Sequence, residues 1–354
     1  MASAAVVAVV AATAFCLTGC ANLGYYWQSA TGHLKMMNAA RPVEDWMADT
    51  AAPERLKTRL ALSQRIRAFA VSELKLPDNP SYHRYADLKR TAVVWNVVAA
   101  PAYSTTLKQW CFPVTGCVGY RGYFSETEAR AEAAKAAVEG YETAVNPVPA
   151  YSTLGWMNWA GGDPLLNTFI YYPEGELARL VFHELAHQVI YAKNDTMFNE
   201  SFASAVERLG SARWLATQAS EAARQDYAQY DGRRNQFRAL TLATRKRLEQ
   251  IYETTKGDER DRLKKAAMEE FRAQYVRLRD SWGGDPARFR GYDQWVARAN
   301  NASFGTQAAY DELVPGFEAL FARVGGDWKR FYDAAKELAA LPKEERHQRL
   351  KEKQ

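Results

Sequence analysis

The pentapeptide His183-Glu184-Leu185-Ala186-His187 is where this chain concentrates its chemistry. A helix repeats about every 3.6 residues, so positions four apart share one face. The two imidazoles then stand side by side and can hold one Zn²⁺. Glu184 lies beside them, suited to act as general base on a water at the metal. The chain has five histidines, and two of them are used here. Leu180, Val181, Phe182, Leu185, Ala186, Val189 and Ile190 surround the pair, which predicts a buried helix. Burying two imidazoles and a carboxylate without partners is costly, and a metal removes that cost. The bland alternative is a chance match on an ordinary core helix.

Zinc in a hydrolase takes three protein ligands and leaves a fourth position open. Glu200 is the expected third ligand. It lies in Met197-Phe-Asn-Glu-Ser-Phe-Ala-Ser-Ala-Val-Glu207, whose pattern predicts a second helix. The segment Ala192 to Thr196 turns the chain, and Asp195 or Thr196 can cap the new helix. Two antiparallel helices would bring Glu200 back to the metal. Glu207, two turns further on the same face, is either the alternative ligand or a partner that orients a histidine. A carboxylate serving only its own helix is the plain reading of each.

His183-Glu184-x-x-His187 together with Asn199-Glu200-x-Phe202-Ala203 resembles the gluzincin metallopeptidases. These are the thermolysin-like enzymes and the zinc aminopeptidases, whose third ligand sits in an N-E-x-F-A-like segment. The wider chain resembles a bacterial lipoprotein family described as aminopeptidases. The segments that carry this are Cys117 to Phe124, Leu154-Gly-Trp156, Asp163 to Asn167, the His183 helix, Asn300-Asn-Ala302 and Tyr310 to Pro315. The resemblance implies an α+β, predominantly helical, gluzincin-like core, zinc on His183, His187 and Glu200, and cleavage of peptides from their amino end. Gly155-Trp-Met-Asn158 is distantly similar to the glycine-methionine-glutamate-asparagine segment of zinc aminopeptidases, which binds substrate backbone and the free amine. Gly155 and Asn158 are then substrate-binding residues, and Asp163 supplies the missing carboxylate; a simple turn over Gly161 to Pro164 is the alternative. Twelve residues separate His187 from Glu200, fewer than in familiar gluzincins, and Ser204 stands where thermolysin-like enzymes carry an aspartate.

The first twenty residues are uncharged and end in Leu17-Thr-Gly-Cys20. An apolar run of that length is a signal peptide rather than a span. Its end resembles a bacterial lipobox, which implies lipid on Cys20. By resemblance to sorted lipoproteins, Ala21 after it, in place of an aspartate, favours the outer membrane, facing the periplasm. Cys111 and Cys117 remain, six apart, and predict a small disulfide loop in an oxidising compartment. The net charge of +5 is spread along the chain with no aromatic-interleaved basic patch, so nucleic acid is not an expected partner.

The organisation follows from these marks. Residues 1–19 are the signal, 20–50 the lipid-bearing cysteine and a tether, and 51–220 the peptidase core. Residues 221–282 form a charged antiparallel helical hairpin, and 283–354 a helical part that completes the site. Thr91 to Ala99 and Val118 to Phe124 predict strands, and Ser125-Glu-Thr-Glu128 is a capping box opening a helix. Ser152 to Asn158 and Asn167 to Tyr172 predict strands just ahead of the zinc helix, where an extended peptide could pair edge-on. Pro173 begins that helix. The hairpin is a solvated arm or, alternatively, a docking arm for a protein partner. Tyr310 is the expected oxyanion donor, with Tyr171, Tyr172 and Tyr191 as alternatives. The reading is a lipid-anchored zinc peptidase, an aminopeptidase first and an endopeptidase second. The competing class is a zinc-stabilised envelope scaffold without catalysis.

Overall fold

In the computed structural model, residues 23–112 and 116–352 are described, so the apolar leader and Cys20 lie outside them. The described residues are predominantly helical, with three small sheets among them. Helix α1 covers residues 23–39. It is followed by β1 (Arg41–Pro42), α2 (Val43–Ala48) and α3 (Glu54–Ser72). The expected tether is therefore a packed helix, because His33, Met36 and Met37 fall on one side and bury there. Helix α3 buries Leu56, Leu60, Ser63, Ile66, Arg67, Phe69 and Ala70 at helical spacing. The buried Arg67 guanidinium donates to the carbonyls of Pro77, Asn79 and Ser81, which shapes the loop after α3.

The strands are β2 (Arg84–Ala86), β3 (Val94–Pro101), β4 (Trp110–Phe112), β5 (Gly116–Val118), β6 (Arg121–Tyr123), β7 (Tyr141–Val148) and β8 (Leu165–Leu166). They form sheets β1-β2-β8, β6-β3-β7 and β4-β5, and β3 pairs antiparallel with both of its neighbours. Helix α4 (Glu126–Val138) follows β6, capped by the Ser125 side chain on the Glu128 N–H. The strand expected over Val118 to Phe124 is split between two sheets at Gly119 and Tyr120. Strand β7 has no alternating apolar signal and carries Asn146 and Pro147; it exists because β3 pairs with it.

The two strands expected before the zinc helix are turns. Leu154, Gly155, Gly161 and Gly162 have φ of 55°, 77°, 102° and 66°, which bends the backbone back on itself. In residues 167–172, the carbonyls of Ile170 and Tyr172 take Arg59 instead of a neighbouring strand. Only the two-residue β8 is extended there, and it is buried, so edge-on pairing of a peptide at that place is not available.

Helices α5 (Glu174–Ala186) and α6 (Thr196–Thr217) pack at the centre. The hairpin is α7 (Glu221–Thr254) and α8 (Gly257–Ser281). Then come α9 (Arg290–Arg298), α10 (Asn301–Asp311), α11 (Val314–Arg323), α12 (Trp328–Ala340) and α13 (Lys343–Lys351). The main core draws on residues from Met36 to Leu350, so early and late segments of the described residues both pack with α5 and α6. A second cluster joins the hairpin to Val296 and Phe304. Among the described residues no helix is long and apolar enough to cross a membrane.

Candidate metal centre

Helix α5 opens at Pro173 with Glu174 and Glu176 in its first turn, where the helix dipole favours acid. His187 is its C-cap and keeps helical backbone, so its N–H still reaches the His183 carbonyl. The side chains of His183 and His187 therefore share a face at the negative end of the helix, where a cation is favoured. The chain then returns within eight residues. Asn199 clamps that return by accepting from the Ala192 N–H at 2.7 Å and donating to the Ala192 carbonyl at 2.9 Å. Asp195 caps α6 through the Phe198 N–H. Glu200 is thereby held against the two histidines.

The three atoms that meet are His183 Nε2, His187 Nε2 and Glu200 Oε2. The nitrogens lie 3.2 Å apart, and the oxygen is 3.4 Å from one and 3.6 Å from the other. Zinc bonds of about 2.0–2.1 Å at tetrahedral angles separate their ligand atoms by about 3.3–3.4 Å. The triangle has that size. Glu200 Oε2 is buried and makes no hydrogen bond, an orphan that a cation would satisfy. His183, His187 and Glu200 can thus hold a metal ion, and the donor set is compatible with zinc.

Glu207 lies behind His183, facing Nδ1 instead of the triangle. Its Oε2 is 3.0 Å from Nδ1, and a carboxylate only accepts, so Nδ1 carries the hydrogen and Nε2 faces the triangle. The other oxygen of Glu207 accepts from Arg179 Nη2. Burial pulls the His183 imidazolium down, yet Glu200 and Glu207 outweigh it and raise its pKa to about 10. Burial opposes ionisation of Glu200 and Glu207 as well. His187 and His183 nevertheless hold Glu200 at about 2, and Arg179 and His183 hold Glu207 there too. Burial pushes the Glu184 carboxyl up, with the two imidazoles pulling against it. The carboxyl groups of Glu184, Glu200 and Glu207 thus crowd the two imidazoles, surroundings that favour positive charge there.

Tyr310, near the end of α10, lays its ring beside His183, with centroids 6.2 Å apart and planes 22° from parallel. Burial, and then the Glu200 charge, hold its phenol well above the ordinary value, so it stays a donor. Burial, and then the Glu200 charge, hold the Tyr120 phenol well above the ordinary value too. Its segment is held to the start of α6 because the Gly119 N–H donates to Thr196 Oγ1 and the Cys117 N–H to Asn194 Oδ1. Those bonds dock the β4-β5 hairpin, closed by the Cys111–Cys117 disulfide, onto the α5–α6 return. Tyr120 and Arg179 are missing from the residues singled out in the sequence. Tyr120 sits in the Cys117 to Phe124 segment that carries the resemblance, and that was its only signal. Tyr171 and Tyr172 precede α5, roughly 16 Å along the helix from His183.

Asp163 is not an open carboxylate. It is fully buried, its oxygens accept from the Thr153 N–H at 3.0 and 3.2 Å, and Gln188 Nε2 lies 3.4 Å away. It fastens the 152–162 loop, and burial raises its pKa to about 6. The expectation that it receives a substrate ammonium group is corrected accordingly. Gly155 and Asn158 belong to that loop. A Cβ on Gly155 would meet Asn158 Nδ2 and Gln188 Oε1, so the loop lies against Gln188, in the turn that follows α5. The loop leaves Trp156 and Trp159 exposed.

A family model described as "Putative aminopeptidase" matches residues 24–350. The chain belongs to this family. Its description supports a peptidase in general. No curated protein and no solved structure matches the chain at a significant level.

Proposed function

We propose that this protein is a zinc-dependent peptidase with a gluzincin-like core, acting at the free amino end of peptides. The observation that carries it is the triangle of His183 Nε2, His187 Nε2 and Glu200 Oε2, with Glu184 in the same turn of helix. Zinc bound there supplies Lewis-acid polarisation and makes a nucleophile available at neutral pH. Glu184 takes the proton of the attacking water and returns it to the leaving amine. Its raised pKa suits that exchange. Glu207 keeps His183 in one tautomer. Tyr310 and Tyr120, both protonated, are the donors for the developing oxyanion. The preference for amino ends rests on the family description.

Metal analysis and a peptide-library digest test the reading together. About one zinc per chain is expected, lost in His183→Ala and in Glu200→Ala. Glu184→Gln should keep the zinc and lose about a hundredfold or more in hydrolysis. Zinc retained in Glu200→Ala and lost in Glu207→Ala would overturn the ligand assignment. Equal turnover by wild type and Glu184→Gln would overturn the mechanism. Cleavage of acetylated and free peptides at the same internal bonds would make it an endopeptidase, and no turnover of any peptide a scaffold. We also propose that Cys20 is lipidated and holds the protein on the periplasmic side of the envelope, in keeping with the Cys111–Cys117 disulfide. Mass spectrometry of the membrane form checks it, and a lipid-free mature end elsewhere would end the claim.

A further inference from the structure

The first helix of the charged hairpin reaches the metal centre through a chain of ion pairs. Arg234 in α7 grips Glu176 in α5 with two hydrogen bonds, Nη1 to Oε2 at 3.1 Å and Nη2 to Oε1 at 2.7 Å. Glu176 Oε2 lies 3.6 Å from Arg179 Nη1, one turn further along α5. Arg179 donates to Glu207 Oε1, and Glu207 Oε2 accepts from His183 Nδ1. The side chains of Arg234, Glu176 and Arg179 are 18%, 18% and 22% exposed and that of Glu207 6%, so water screens these links weakly. Helix α7 comes this close because Gly175 has no side chain: a Cβ there would lie 2.5 Å from the Tyr227 ring. One turn beyond Arg234, Arg238 Nε lies 2.9 Å from Asp311 Oδ1, next to Tyr310. One face of α7 thus touches both flanks of the centre.

We infer that Arg234 is a positioning residue for the metal centre, acting through Glu176, Arg179 and Glu207 on His183, so that the hairpin is part of the site's framework. The inference rests on the metal-site reading above. Charges alternate along the chain, and each link holds the next side chain in one rotamer. Without Arg234, the Glu176 carboxylate keeps only Arg179 and draws it off Glu207. Glu207 then loses the donor that fixes its angle at His183. Partners that orient a metal-binding histidine contribute to metal affinity even though they never touch the metal.

The test measures Zn²⁺ affinity of the purified full-length protein by competition with a chromophoric chelator, and the visible spectrum of its Co²⁺ form. Arg234→Ala should bind Zn²⁺ about 3- to 30-fold more weakly and shift the Co²⁺ bands. Arg247→Ala, which breaks a pair with Glu270 inside the hairpin, should change neither. Glu176→Gln should weaken binding similarly, and adding Arg234→Ala to it should change little more. Arg234→Lys keeps the charge without the fork, and its affinity should fall between the wild type and Arg234→Ala. Wild-type affinity and spectrum in Arg234→Ala, equal losses in Arg234→Ala and Arg247→Ala, or additive losses in the double variant would each overturn the inference. A wild type that binds no zinc would instead overturn the metal reading itself.

Discussion

His183 has a carboxylate at each ring nitrogen, Glu200 toward Nε2 and Glu207 at Nδ1. Burial opposes its charge, but the two carboxylates raise its pKa to about 10, so the metal-free site carries a proton at neutral pH. A metal must displace that proton. Zinc binding near pH 7.5 should release about one proton, and affinity should rise about tenfold per pH unit between pH 7 and 9. Calorimetry in buffers of different ionisation heat measures this, and zero release would show that His183 is neutral beforehand. Asp163 makes the opposite kind of prediction. Burial lifts its folded pKa from 3.8 to about 6. Its contribution is therefore fully present below pH 4 and lost as pH rises through 6. Denaturant unfolding should show a decline of up to about 3 kcal/mol across that window, absent in Asp163→Asn. A decline unchanged in Asp163→Asn would assign it to other groups.

Helices α5 and α6 are legible in the sequence because each carries its own signal: an apolar face, Pro173 at one start and Asp195 at the other. The capping box at Ser125 and the hairpin are legible for the same local reason. Elements that depend on a distant partner are not. Strand β7 is made by its pairing to β3, and the turns at 152–162 by glycines and by Asp163 on the Thr153 N–H. Helix α10 shows how such contacts reach the site. A Cβ on Gly305 would meet the Thr105 carbonyl and Leu107 Cδ2, the latter at 2.8 Å. Gly305→Ala should push α10 outward, cost about 1–3 kcal/mol in thermal or denaturant unfolding, and lower kcat by moving Tyr310 while zinc content stays the same. Unchanged kcat in a destabilised Gly305→Ala would argue that Tyr310 takes no part in turnover.

At the scale of the molecule, α13 returns to the start of α6. Arg346, buried, lies 3.4 Å from Asp195 Oδ2, and His347 Nε2 lies 2.9 Å from both oxygens of the same carboxylate. Asp195 caps α6 five residues before Glu200. Removing residues 342–354 takes both of these partners from Asp195 and the buried Leu350 from the core, a loss of about 3–5 kcal/mol. The truncated protein should melt several degrees lower and bind zinc more weakly, as differential scanning calorimetry and chelator competition would show. Wild-type melting and affinity would mean that Asp195 needs no partner from α13.

The sequence alone determines the groups of the candidate centre whose geometry is local. His183, Glu184 and His187 lie within one and a half turns of helix, so backbone periodicity sets their arrangement. Glu200 follows from a short return and a capped helix. The placement of Glu207, Tyr120 and Tyr310 was decided only by tertiary packing, because each approaches the centre from an element other than α5, and Arg179 gains its role only because Glu207 packs against it. Asp163 illustrates the same limit from the other side. Its sequence position suits substrate, but four residues of backbone at positive φ and a waiting Thr153 N–H turn it inward. A side chain's partners depend on which segments share its space, and the packed core settles that across the whole length of the protein.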